Sequence, residues 1–283
     1  MTAVSPIVPA AGGLSLGTPP AVDLDRLLAG MDTMAGQRPV AAQVVAVAST
    51  DDASAARLAE VLAGDVALAG RVMKLANSAY FGMTGRATTL QFAVTVVGFT
   101  AVRTMATVAL TCLDDEEHLP EGFWERSTGV ALAASVLAPR SGTRPQDALC
   151  LGLLAQVGAA LLHGEDPAGY RALAAAHRSP AARRTAEVCR YGISATRLSA
   201  VALEQWGFPP VMVGPLAAAD DPAAPDGALL RVASEIGARH ADPAHEPVPV
   251  ERLGGGLLRE DGVAAVLEQV AAAAEDLRRA LVC

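Results

Sequence analysis

Aromatic side chains are scarce in this chain, 4% of 283 residues, with two tryptophans, three tyrosines and five phenylalanines. A core must therefore be built from aliphatic side chains. Lysine is scarcer still: Lys74 is the only one, so almost every cation is an arginine, and the formal net charge is −8. A general nucleic-acid binder carries a basic stripe or patch. None is evident, and pairs such as Arg183-Arg184 and Arg278-Arg279 read as solvated helix faces, which makes nucleic acid an unexpected partner. The four cysteines (Cys112, Cys150, Cys189, Cys283) form no CxxC and no Cys/His cluster. That excludes a disulfide framework and a patterned zinc site, and it fits a reducing, cytoplasmic location. Cys112 and Cys150 lie in apolar stretches and read as small buried hydrophobes. Long hydrophobic runs are missing too. The nearest, Ala148–Leu162, is interrupted by Gln156, ends at His163 and falls short of the roughly 20 residues of a membrane helix. No membrane association is expected. Strand-like alternation with hairpin turns is absent throughout.

What is present is alanine-rich, 52% hydrophobic sequence with helical periodicity, punctuated by caps and prolines. The expected architecture is all-α. Pro39–Ala48 opens the series, Ser49 or Thr50 is placed to cap Asp52–Ala63, Asp65 to cap the next helix, and Ser194 to cap Ala195–Trp206. Leu90–Leu110 reads as one long buried helix. Phe123–Ala138, Gln146–His163, Ala168–His177, Ala181–Tyr191, Ala195–Trp206 and Val211–Ala219 follow, then Gly227–Arg239 and Glu260–Val282. Residues 1–20, rich in Pro, Gly and Ala, have no basic n-region and are expected to form a mobile tail rather than a secretory signal. The Pro-containing stretch Asp220–Asp226 divides a main helical domain, 21–220, from a C-terminal helical extension, 221–283, expected to pack on the same domain. Gly254-Gly255-Gly256 lacks the strand and GK[ST] signature of a phosphate loop and reads as a turn.

The most informative stretch is Asp65–Gly82, DVALAGRVMKLANSAYFG: a capped amphipathic helix, a polar Asn77-Ser78 pair, then Tyr80, Phe81 and Gly82. Further on come Phe123–Ser127 (FWERS), Gly152–Gly158 (GLLAQVG), Glu187 with Tyr191-Gly192, Ala202–Pro209 (ALEQWGFP) and Leu230–Gly237 (LRVASEIG). In this order and spacing the pieces resemble the HDOD domain, a helical bacterial signalling module related to the HD phosphohydrolases. The resemblance implies a multi-helix HD-like bundle and a regulatory output role, exerted through a signalling protein partner or a small ligand. No input domain is visible beside it. Apolar grooves between helices would suit a partner helix or a small molecule.

The departures from the pattern carry the chemistry. HD phosphohydrolases hold metal ions on His and Asp side chains, lowering the pKa of a bound water and clamping a phosphate. Where relatives read GLLHDIG, this chain has Ala155-Gln156; where some carry histidines it has Arg126, Ala195 and Ala217–Asp220. Alanine cannot ligate, glutamine is a poor ligand, and arginine repels a cation. The resemblance therefore implies a non-catalytic module with no metal and no cofactor. The remaining histidines rebuild no site: His118 lies in an acidic run, and His163, His177 and His240 fall near helix C-termini, where a cation suits the helix dipole. His240 and His245 with Asp242 and Glu246 lack zinc-site spacing.

One polar cluster stands out. Arg71, Lys74 and Ser78 share a helix face with Asn77 beside them. Two readings stay open: an anion or partner-carboxylate site, or caps in which Asn77 and Ser78 bond neighbouring backbone. Arg103 could join the cluster if its helix packs there. Arg126 and Gln156 are the candidate contacts of the vestigial HD pocket, where a nucleotide second messenger could be bound without being cleaved. A residual metal phosphohydrolase and a nucleic-acid regulator are the remaining, weaker alternatives.

Overall fold

The computed structural model describes residues 22–23, 27, 38–50, 52–111 and 119–281. The expected tail, the acidic run with His118, Cys112 and Cys283 lie outside them. Among the described residues every regular element is a helix. The first five are α1 (Pro39–Val47), α2 (Ala55–Leu62), α3 (Val66–Ala76), α4 (Leu90–Val97) and α5 (Phe99–Leu110). Then come α6 (Phe123–Leu137), α7 (Pro145–Leu154), α8 (Val157–Glu165), α9 (Pro167–Ala176) and α10 (Pro180–Tyr191). The last five are α11 (Ala195–Gln205), α12 (Pro210–Ala218), α13 (Ala228–Ala241), the short α14 (Glu251–Gly254) and α15 (Val263–Leu281).

Local chemistry sets most starts. Pro39, Pro145, Pro167, Pro180 and Pro210 each occupy a first helical turn, where the missing N–H costs nothing. Asp65 and Ser194 cap as expected, accepting from Leu68 N at 3.0 Å and Arg197 N at 3.0 Å. The cap of α2 is Ser54, accepting from Arg57 N at 3.2 Å, and not Ser49 or Thr50. Those two hydroxyls turn back to donate to Val45 O and Val47 O, closing α1.

The long helix expected over Leu90–Leu110 is two helices meeting at 103°. Gly98 breaks it with φ +82°, a left-handed conformation open to glycine and strained for any other residue. The apolar pattern runs on through the bend because each arm keeps a buried face, so periodicity carries no trace of it. A milder interruption falls at Ala155-Gln156, between α7 and α8. Pro145–Glu165 as a whole is long and apolar enough to cross a bilayer by length and composition, yet 83% of its apolar window is buried inside the protein.

Helix α6 is the hub, packed by α7, α13 and α15 and buried from Ser127 to Ser135. Because α13 and α15 lie on it, Leu230, Ile236, Val266 and Leu277 join one core with Val102, Leu132 and Leu154. As the scarcity of aromatics requires, the largest fully buried side chains are leucines, among them Leu62, Leu137, Leu154 and Leu203. Each contributes about 1.5–3 kcal/mol by leaving water. Cys150 is buried as expected, its thiol pushed up to about 12 by burial.

His163 and His240 lie in the last turns of α8 and α13, and His177 at the end of α9, where the sequence predicts them. His163 is buried, its ring edge-on to Tyr170 at 6.3 Å, and burial lowers the pKa of His240 from its usual value. His245 is buried and bonded to Glu235 Oε1 at 2.9 Å. Glu235 also accepts from Arg239 Nε and Val248 N, clasping the 242–250 loop to α13.

Candidate binding pocket

The Asn77 cluster resolves into caps. Asn77 donates to Met73 O at 3.1 Å and Ala87 O at 2.9 Å and accepts from Ala87 N at 3.0 Å, tying the end of α3 to the following loop. Ser78 donates to Leu75 O at 2.7 Å. Arg71 is buried while Lys74, one turn on, is exposed. Tyr80 hydroxyl and Ser135 Oγ lie 2.7 Å apart, so the aromatic pair anchors the loop on α6. Arg103 does not join them. It lies 3.7 Å from the Phe208 ring centre and donates to Trp206 O at 3.2 Å, staking α5 to the end of α11.

The other two candidates, Arg126 and Gln156, come together. Both line a pocket of about 560 Å³ enclosed by α6, the α7–α8 corner, α9, α10, the start of α11 and the end of α13. That volume lies within the range of small-molecule sites. Ala155 and Ala195 line it too, so three of the positions where the HD resemblance implies metal ligands, with Arg126, converge on one cavity.

Close helix contacts fix the corner. An added Cβ on Gly152 would lie 2.6 Å from Ala131 Cα, and one on Gly158 only 1.9 Å from Ala195 O. The backbones of α7 and α8 therefore touch α6 and α11 directly. Ser199 on α11 completes the seam: it accepts from Gly158 N at 2.8 Å and its hydroxyl lies 3.1 Å from both Ala155 O and Ala195 O.

Arg183 and Arg184 are where sequence reasoning misjudged the site. Both are half-buried and line the pocket, rather than forming a solvated face. The signal lay in register: Arg183, Glu187 and Tyr191 follow at i, i+4 and i+8, and the last two are buried. Glu187 accepts from Tyr170 Oη at 2.9 Å and Ala195 N at 2.8 Å. Burial raises the Glu187 carboxyl above its usual range, and raises the Tyr170 phenol, with Glu187 adding to the latter.

The cations differ in how they are neutralised. Arg178 pairs with Asp242 at 3.2 Å, and Arg184 lies 3.7 Å from Asp220, which also accepts from Ser194 Oγ. Arg126 and Arg183 make their direct bonds to carbonyls: Arg126 to Glu121 O at 3.2 Å, Arg183 to His177 O at 3.2 Å and Ala174 O at 3.5 Å. Burial, then the charge of Arg183, lowers the Arg126 guanidinium to about 10. The residues present do not fit a metal ion. Among the described residues no three His, Cys, Asp or Glu side chains gather as a metal-ligand set, and the pocket sets guanidinium groups where a cation would sit.

Residues 36–222 match the model of the HDOD domain family. The chain belongs to the HDOD family. Solved structures share its fold. A candidate phosphohydrolase from Shewanella amazonensis SB2B is 24% identical with a TM-score of 0.65, over 86% of this chain and 93% of that one. An HDOD domain protein of unknown function from Geobacter sulfurreducens is 20% identical with a TM-score of 0.58, over 92% and 98%. A candidate signal transduction protein from Marinobacter aquaeolei VT8 is 21% identical with a TM-score of 0.62, over 86% and 58%. No curated protein matches the chain.

Proposed function

We propose that this HDOD protein is a non-catalytic signal-transduction module that works by binding. Its pocket is kept as a ligand site, and its output passes to a signalling protein partner in the cytoplasm. The observation that supports this reading is the convergence of Ala155, Gln156, Ala195 and Arg126 on one cavity. Activating water for phosphoester cleavage takes a metal held on His and carboxylate side chains; these residues offer none of them, while the cavity itself is large enough for a ligand. A nucleotide second messenger is the ligand type favoured by the arginines on its wall.

The test is metal content and phosphoesterase turnover of the purified protein, with bis(p-nitrophenyl) phosphate as substrate and Mn²⁺ added. The expected result is no retained metal and no turnover above buffer. Stoichiometric metal together with turnover abolished by Gln156→Ala would overturn the reading.

A further inference from the structure

A chain of net charge −8 gathers Arg126, Arg171, Arg178, Arg183 and Arg184 around a single cavity. Opposite charges account for part of the gathering. Asp242 and Asp220 take Arg178 and Arg184, and Arg171 lies at the exposed rim, donating to Pro167 O at 3.0 Å. Arg126 and Arg183 are left, two half-buried guanidinium groups close enough to repel, with no carboxylate within ion-pair distance of either among the described residues. Glu187 acts on Arg183, and Asp242 and Glu125 on Arg126, only through space, beyond ion-pair distance. Carbonyl bonds hold the two guanidinium groups in place without neutralising them. Each guanidinium has five N–H donors, and only one of Arg126 and two of Arg183 are used in these bonds.

We propose that Arg126 and Arg183 form a metal-free clamp for a phosphate group, and that the ligand of this pocket is a small phosphorylated molecule. Its phosphate sits at the Arg126–Arg183 end and its less polar body lies against Phe123, Val130, Ala159 and Ala238. This rests on the binding reading above and adds the two side chains that hold the ligand's phosphate. A phosphate dianion accepts from two guanidinium forks at once, and such charge-assisted bonds are about twice as strong as neutral ones. It also relieves the repulsion that burial of two like charges creates.

The probes are AMP, adenosine and inorganic phosphate, read by calorimetry and by thermal shift on the full chain. AMP and phosphate are expected to bind and raise the melting temperature, and adenosine to do neither. Arg126→Gln and Arg183→Gln are each expected to weaken AMP at least about tenfold. Arg144→Gln, outside this pocket and of equal charge change, is expected to leave AMP binding unaltered. Without ligand, Arg126→Gln is expected to melt no lower than wild type, because it removes a repelled charge. A drop of several degrees would make Arg126 a structural cation and overturn the clamp. So would equal binding of adenosine and AMP, absence of binding by both AMP and phosphate, or unchanged affinity in both variants. Any of these without metal-dependent turnover sinks the phosphate clamp alone; metal-dependent turnover sinks the binding reading itself.

Discussion

Replacing Gly158 by alanine tests how the pocket corner is held. In an ordinary helix the change stabilises, since alanine is favoured over glycine by about 0.5–1 kcal/mol. At Gly158 the new Cβ would lie 1.9 Å from Ala195 O, 2.8 Å from Ala195 C and 2.9 Å from Ser199 N, all backbone atoms of one helix start. No rotamer can absorb such a clash, so α8 and α11 must separate by more than an ångström. Overpacking of this kind costs about 1–3 kcal/mol, and the Gly158 N to Ser199 Oγ bond at 2.8 Å is lost with it, about 1 kcal/mol more. The net expectation is a loss of about 2–3 kcal/mol. At roughly 2–4 °C per kcal/mol for a chain of this size, the melting temperature falls by about 5–10 °C. The control is Gly70→Ala within α3, where a Cβ meets nothing within 4 Å; it is expected to raise the melting temperature by a degree or more. Thermal and urea unfolding of the two variants beside wild type make the measurement. If Gly158→Ala melts with wild type, or rises with Gly70→Ala, the direct contact of α8 with α11 is wrong.

Asn77→Ala removes three bonds, two that tie the end of α3 to Ala87 and one to Met73 O, and is expected to cost about 2 kcal/mol in urea unfolding; an unchanged midpoint would refute the capping role. Arg231, buried and pushed below its usual pKa by that burial, donates to Leu253 O, Asp221 O, Ala224 O and Ala218 O. Arg231→Met should loosen the 218–224 turn and cost about 3 kcal/mol, seen as early exchange of amides there; uniform protection would count against it. Burial holds the His240 pKa below its usual 6.5 in the folded protein, so on acidification the unfolded chain takes up this proton first. Stability from this residue is thus complete above 6.5 and falls as pH drops below it, and His240→Gln should flatten that part of the urea-midpoint profile. A parallel profile would show that His240 titrates alike in both states.

What could be read in the sequence divides by range. The caps at Asp65 and Ser194 and the proline starts were legible because each depends on atoms within a turn of itself. Gly98 was not: its left-handed φ is selected by how α4 and α5 pack, and the apolar pattern on either side is the same with or without the bend. Ser49 and Thr50 were plausible caps by type, but their hydroxyls reached back to α1, leaving Ser54 to cap α2. Arg126 and Gln156 were found through the family's motif order, which is a long-range record. Arg183 was missed because an Arg-Arg pair reads by type as a solvated face, although its i, i+4, i+8 register with Glu187 and Tyr191 places it on a buried one.

That miss bears on why the cavity persists. A pocket shaped around metal ions owes its attraction for phosphate to a concentrated positive charge, and it loses that attraction when the ligands go. Arginine restores positive charge without any ligand geometry: it needs only a place on a wall, and its planar fork recognises phosphate oxygens directly. It cannot generate a hydroxide from bound water, because its pKa, even at about 10 for Arg126, leaves it protonated at neutral pH. Exchange of a metal set for guanidinium groups would therefore keep recognition and remove hydrolysis in the same step. A receptor has that use for a phosphorylated signal, since a ligand that is cleaved on binding cannot report its own concentration. On that view Arg183, more than Gln156, is the residue on which the pocket depends.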